Sequence, residues 1–263
     1  MSVKAIAARV LEQHPYGYRL GVLLLDNLDF LLPHESDYWA FPMLARACPP
    51  TCARTILDVG ANRGHSSRAF LKLLPDWNVV AFEANPLHQK KLDALRGRHP
   101  GRFSCHIGAV TDAAKGDLTL FTPFWKSMAM HSASALSRSE ALAGVEGAFP
   151  SLTGQFTVRE TRTPTFAIDS FGLDFSLVKI DIQGEELRAL QGMSATIARC
   201  RPIVLVEMNL TQAGIAEFMR ANAYQPYTYD AVTGKMLPGY GPHTAQHRNQ
   251  FFIPEEFAGN LGD

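Results

Sequence analysis

The sequence predicts an α/β fold, a doubly wound, mostly parallel sheet preceded by an N-terminal helical extension. Three observations predict it. From Thr55 onward, short apolar runs alternate with amphipathic stretches, the pattern of parallel strands joined by right-handed crossover helices. Four of these runs end at or beside an acid, Asp58, Glu83, Asp181 or Glu207, and open α/β sheets take their ligands at the carboxyl ends of such strands. The composition, 46% hydrophobic and 19% charged with 20 Gly and 16 Pro, is that of a folded chain with a sizeable core and excludes extended disorder.

Taken in order, Val3 to Glu12 reads as a helix. Residues 1–50 form the extension, bounded where Pro49 and Pro50 interrupt the pattern. The remainder, 51–263, reads as one domain. Ile56 to Val59 is a buried strand, Ser66 to Leu74 a helix stopped by Pro75, and Val79 to Phe82 a second strand. Pro86 to Arg96 is a helix with proline in its first turn, and Phe103 to Ile107 a third strand. An insertion near 111–170 breaks this rhythm. Within it Leu118 to Phe121 and Phe156 to Arg159 alternate as antiparallel strands, and the Ser/Ala/Gly-rich stretch Ser127 to Gly154 reads as a loop or mobile cover. The alternation resumes with the strand Leu177 to Ile180, the helix Glu185 to Gln191, the strand Ile203 to Val206 and the helix Ile215 to Asn222. Tyr224 to Tyr229 and Gln250 to Ile253 complete the sheet.

Charge narrows the function classes. Twenty-five basic and 25 acidic side chains give a formal net charge of zero, without the basic excess of a nucleic-acid binder. No run approaches the roughly 20 apolar residues of a membrane-spanning helix, and no apolar segment of a signal peptide follows Lys4 and Arg9. Cys48, Cys52, Cys105 and Cys200 form no disulfide framework, so a reducing, cytoplasmic setting is expected.

The chemistry gathers around Asp58-Val59-Gly60-Ala61-Asn62-Arg63-Gly64, which follows the first strand and opens a helix. Two glycines permit a tight turn, and the helix's unpaired N–H groups face the crevice. Nineteen residues after Gly64, Glu83 ends the second strand, where a carboxylate accepts hydrogen bonds from a ribose diol. Together these describe a nucleoside-bearing cofactor. A dinucleotide loop needs a second glycine where this chain has Asn62, so a pyrophosphate is poorly served. An acid at the first strand suits an ammonium group instead, and S-adenosylmethionine carries an ammonium, a carboxylate, a ribose diol and an adenine but no phosphate. An NAD-dependent oxidoreductase and a catalytically inactive nucleotide-binding module remain the alternatives.

Ile56 to Gly64, then Ala81-Phe82-Glu83-Ala84-Asn85-Pro86, then Lys179-Ile180-Asp181-Ile182-Gln183-Gly184-Glu185-Glu186 with Leu190-Gln191-Gly192, then Val204 to Glu207, together resemble the FkbM family of S-adenosylmethionine-dependent methyltransferases. The resemblance runs from about Thr55 to Ile253. It implies a seven-stranded Rossmann-like methyltransferase domain acting on hydroxyls of sugars and polyketide-type natural products. This chain departs from the family at Gln183, where many members carry Glu, and at Ala84-Asn85, which replaces a more common Pro-Asn. Carried over by residue, the resemblance implies that Asp58, Gly60, Ala61, Asn62, Gly64 and Ser67 hold the methionine end, and that Glu83, Ala84, Asn85 and Pro86 line the ribose and adenine edge. Gly108, Ala109 and Val110, small residues beyond the third strand, are adenine-pocket candidates.

Methyl transfer to a hydroxyl requires alignment with the sulfonium and removal of a proton. Asp181 is expected near the transferred methyl, with Glu207 orienting the acceptor or acting as base and Glu185 an alternative from its helix start. His131, in the irregular segment, is the histidine best suited to a general base. Asp181, Glu185, Glu207 and Asn209 offer oxygen ligands for Mg²⁺, but strand-end carboxylates serve the cofactor in any case and no close ligand pair calls for a metal. The acceptor is expected to be a small hydroxylated molecule. Tyr16, Tyr18, Phe30, Tyr38, Trp39 and Phe41 make the extension aromatic, as a lid, a homodimer contact or a packed cap. Acceptor specificity is expected there and in residues 121–155.

Overall fold

The computed structural model describes residues 16–17, 36–49, 51–208, 212–241 and 249–261. The chain forms two compact units, Met1–Leu32 with Asp117–Thr163, and Pro33–Gly116 with Pro164–Asp263. The expected helix over Val3 to Glu12 lies outside the described residues, as do Tyr18 and Phe30.

The larger unit holds the sheet. A 3-10 turn, Ser36–Ala40, leads into α1 (Phe41–Ala47), β1 (Thr55–Val59), α2 (His65–Leu73) and β2 (Asn78–Glu83). A second 3-10 turn, Pro86–His88, precedes α3 (Gln89–Arg98), β3 (Phe103–Ile107) and the short β4 (Ala109–Val110). The chain then forms β5 (Asp117–Trp125), β6 (Met128–Ala129) and α4 (Arg138–Ala148) of the smaller unit, and β7 (Phe156–Phe166) spans the boundary back. There follow β8 (Leu177–Ile180), α5 (Glu186–Gln191), α6 (Ser194–Cys200), β9 (Ile203–Glu207), α7 (Gln212–Ala221), β10 (Tyr224–Asp230), β11 (Lys235–Pro238) and β12 (Asn249–Pro254).

The main sheet has the order β11-β10-β12-β9-β8-β1-β2-β3. Strands β9, β8, β1, β2 and β3 are parallel, whereas β12, β10 and β11 join antiparallel at one end. Successive side chains leave a strand on opposite faces, so each central strand feeds two cores. Ile56, Leu177 and Leu205 pack with Phe41, Phe70, Leu92 and Phe251 on one face; Leu57, Val59, Val178 and Val204 pack with Leu190, Ile197 and Ile215 on the other. Burial on both faces explains why these strands read as continuous apolar runs.

The class matches the expectation, but among the described residues the sheet carries eight strands rather than seven. The extra strand exists because Asp230 closes a tight turn. Its carboxylate accepts the Val232 N–H at 2.9 Å and the Thr233 hydroxyl at 2.6 Å, and Gly234 sits at φ +70°, so β11 folds back on β10. Residues 36–47, part of the expected N-terminal extension, group with the sheet unit. Phe41 lies 4.5 Å from the Phe70 ring centroid and 6.1 Å from Phe251, with Tyr38 at 5.1 Å from Phe70. Burying one such phenylalanine contributes about 1.5–3 kcal/mol.

In the smaller unit, β5 and β6 form a hairpin that pairs Trp125 with Met128 and turns through Lys126 at φ +55°. Tyr16 packs edge-on to Trp125 at 5.0 Å, and the Lys126 ammonium lies 4.5 Å from the Trp125 ring. The stretch read as a loop or mobile cover contains α4 instead. Ser137 caps it by accepting the Glu140 N–H at 3.2 Å, and Ala141 and Val145, one turn apart, are buried. Among the described residues no helix is long and apolar enough to cross a membrane.

Candidate active site

The winding of the sheet reverses between β1 and β8, which lie side by side with Val59 opposite Ile180. At such a switch point the two flanking crossovers diverge and leave a crevice at the carboxyl ends. Gly60 makes the first turn into it. Its N–H and that of Ala61 donate to the Phe82 carbonyl at 2.9 and 3.1 Å, and a Cβ at Gly60, which has φ +81°, would lie 1.8 Å from the Asp181 carbonyl oxygen. Only glycine lets β1 and β8 approach this closely. Asn62 at φ +51° and Gly64 at φ +82° complete the turn, and Gly64 caps α2.

Asp58 and Asp181 lie on the same face of the sheet, joined through a residue that sequence reasoning missed. Lys179, in register with Asp58, is buried; its ammonium stands 3.5 Å from Asp58 Oδ1 and 3.6 Å from Asp181 Oδ2, and donates to the Gly60 carbonyl at 3.0 Å. Burial disfavours its charge, yet Asp181 and Asp58 together with the Tyr38 phenol outweigh that cost and raise its pKa above the ordinary lysine value. The signal was a lysine inside the apolar strand Leu177 to Ile180, since lysine is almost never buried without a partner. The other oxygen of Asp58 accepts the Ser66 and Ser67 hydroxyls at 2.6 and 2.5 Å. Asp58 is 0% exposed, whereas the Asp181 side chain is 40% exposed.

Glu83, the last residue of β2, accepts the Asn62 N–H on Oε2 at 2.7 Å and the Asn85 N–H on Oε1 at 2.8 Å. Burial pushes its carboxyl up to about 7, against the lowering effect of these two N–H donors and of Lys179. Ala84 is half-buried. Asn85 caps the turn Pro86–His88 by accepting the Leu87 N–H at 3.1 Å, which accounts for the run Ala84-Asn85-Pro86.

Glu186, at the start of α5, fixes the loop after β8. Glu186 is 0% exposed, and its carboxylate accepts the N–H groups of Ile182 and Gly184, each at 3.1 Å. Gln183 between them stands at φ +59°. Neighbouring Glu185 pairs with Arg188 at 3.2 Å, and Arg188 reaches Asp112 at 3.2 Å.

Gly108 donates to the Glu83 carbonyl at 2.8 Å and leaves 2.2 Å between a hypothetical Cβ and the Phe166 ring. Ala109 and Val110 pair with Thr165 and Phe166. Close packing thus accounts for the small residue at 108, and around it Phe82, His106, Phe166 and Phe171 form an aromatic group with centroids 4.9–6.0 Å apart. Glu207 ends β9 one residue past the Ile180–Val206 pair, level with Asp181, and is half-buried. Asn209 lies outside the described residues, and His131 opens a 3-10 turn in the smaller unit. Among the described residues no three His, Cys, Asp or Glu side chains gather as a metal site.

Residues 58–226 match the family model of the methyltransferase FkbM domain, and the chain belongs to that family of methyltransferases. No curated protein sequence matches it. Among solved structures it is similar to a methyltransferase FkbM from Methylobacillus flagellatus KT, with 14% identity and a TM-score of 0.46 over 76% of this chain and 43% of that one; it thus spans less than half of that protein. It is also similar to the plantazolicin methyltransferase BpumL in complex with SAH, with 8% identity and a TM-score of 0.41 over 92% and 86% of the two chains. A putative O-methyltransferase from Klebsiella pneumoniae aligns at 12% identity and a TM-score of 0.39 over 86% and 93%.

Proposed function

We propose that this protein transfers the methyl group of S-adenosylmethionine to a hydroxyl of a small acceptor, a saccharide or a polyketide-type natural product. Family membership supports the reaction class. The observation that carries the cofactor is Glu83, whose two carboxylate oxygens each spend one acceptor position on a backbone N–H. A carboxylate has about four such positions, so both oxygens retain capacity for a ribose diol. The residues fit the rest of the molecule as well. The Gly60 turn leads directly into the N-terminus of α2, where the first-turn N–H groups of a helix favour a carboxylate, Asp181 offers a half-exposed acid for an ammonium group, and no second glycine stands at Asn62 for a pyrophosphate.

When bound, the cofactor supplies an activated methyl on a positively charged sulfur. The protein's task is then to align an acceptor oxygen opposite that sulfur and take its proton. Asp181 and Glu207 stand level at the ends of adjacent strands; Glu207 is our candidate for orienting the acceptor and accepting its proton, with Asp181 beside it at the cofactor's reacting end. Four free thiols favour a reducing, cytoplasmic setting.

Titration with S-adenosylhomocysteine and, separately, with NADH tests the cofactor: heat with the first and none with the second is expected, and the reverse would refute the assignment. A screen of glycosides and hydroxylated metabolites with labelled methyl donor then identifies the acceptor.

A further inference from the structure

We infer that Lys179 is the positioning residue of the cofactor crevice, and that Asp58 acts through it rather than by touching the cofactor, leaving Asp181 as the acid that meets the cofactor's ammonium group. These roles rest on the S-adenosylmethionine reading above and divide the work within it.

The geometry separates the two aspartates. Asp58 is enclosed: Oδ2 takes both serine hydroxyls of α2, Oδ1 faces the Lys179 ammonium, and nothing of the residue reaches solvent. Asp58 is thus closed off from solvent in the free protein, whereas Asp181 is not. Asp181 shares the same ammonium through Oδ2, and 40% of its side chain is open. The ammonium also holds the Gly60 carbonyl at 3.0 Å, which fixes the turn that α2 follows. Lys179 therefore touches all three parts of the methionine-end cradle: the buried acid, the open acid and the glycine turn. Among the described residues, the Tyr38 phenol from the Ser36–Ala40 turn and the Glu83 carboxyl from β2 also act on it electrostatically.

Charge arithmetic explains why a lysine belongs there. Two carboxylates this close, one fully desolvated, repel one another, and a buried acid without a counter-ion is strongly destabilising. One ammonium between them leaves a single net negative charge, displaced toward the open residue. A cationic ligand then meets an acid already held in place.

Four variants test this: Asp58→Asn, Asp181→Asn, Lys179→Met and Lys179→Met with Asp58→Asn, each measured for thermal unfolding of the free protein and for S-adenosylhomocysteine affinity by calorimetry. Asp181→Asn should weaken binding about tenfold or more with little change in stability, as expected when one partner of a close charge pair is removed. Asp58→Asn should weaken binding less than Asp181→Asn. Lys179→Met should lose both stability and affinity, and adding Asp58→Asn should restore stability, because the uncompensated carboxylate is then gone. A double variant no more stable than Lys179→Met would overturn the coupling. Stronger loss of binding in Asp58→Asn than in Asp181→Asn would place Asp58 on the ligand and overturn the assignment. If Lys179→Met fails to fold, the double variant and the two aspartate variants still decide. Failure of the unsubstituted protein to bind S-adenosylhomocysteine would refute the cofactor reading and the ligand roles built on it, while the Asp58–Lys179 coupling is read separately from unfolding.

Discussion

Glu83 accepts the backbone N–H of Asn62 at 2.7 Å, so the turn after the first strand is tied to the last residue of the second. The ribose-binding candidate and the loop it faces are thus one rigid piece, and the acid that joins them is buried.

That burial gives a pH dependence of known sign. The Glu83 carboxyl, pushed from 4.5 to about 7 in the folded protein, prefers its neutral form there. Its contribution favours folding at acid pH and is lost as pH rises from about 4.5 toward 7. Cofactor binding should run the other way, because a ribose diol donates to the ionised acid. Expected results are a melting temperature with a falling component between those values that Glu83→Gln removes, and S-adenosylhomocysteine affinity that rises through pH 7 in the parent protein alone.

Gly60→Ala should fail at the closest approach of β1 and β8. The new Cβ would meet the Asp181 carbonyl at 1.8 Å, at a φ that L side chains rarely adopt. We expect a loss of more than about 2 kcal/mol in denaturant unfolding and no measurable cofactor binding.

Glu186→Ala leaves the Ile182 and Gly184 N–H groups without their acceptor. Both sit on half-buried residues, so the loss should be below the roughly 1–3 kcal/mol of a fully buried unpaired group. Glu186→Gln keeps one acceptor oxygen, so it should retain more stability and more cofactor affinity than the alanine variant; equal losses would show that the loop does not depend on this acid.

Phe41→Ala should cost about 3–5 kcal/mol, since the ring is fully buried between Phe70 and Phe251. Unfolding measured with and without the substitution checks whether the sheet unit depends on residues ahead of its first strand.

The central parallel strands were legible because burial on both faces makes them short apolar runs, and Thr55–Val59 and Leu177–Ile180 fall where the pattern places them. Strand-end acids were legible for the same reason: their positions follow from where each run stops. What each acid touches was not. Asp58 meets Lys179 only because β1 and β8 align across a separation of 121 residues, and register between distant strands leaves no local mark. Helix α4 escaped because its buried side is Ala141 and Val145 amid glycine and alanine, too weak a contrast to show a helical period. The strand β11 escaped because it depends on the Asp230 turn rather than on its own apolar content.

Strand β12, the last of the described strands in sequence order, lies between β9 and β10. During synthesis the preceding strands therefore cannot zip up in sequence. Until residue 254 has left the ribosome, β9 keeps an open edge and the hairpin of β10 and β11 has nothing to join, so premature termination in this stretch should leave an aggregation-prone half-sheet rather than a shortened enzyme.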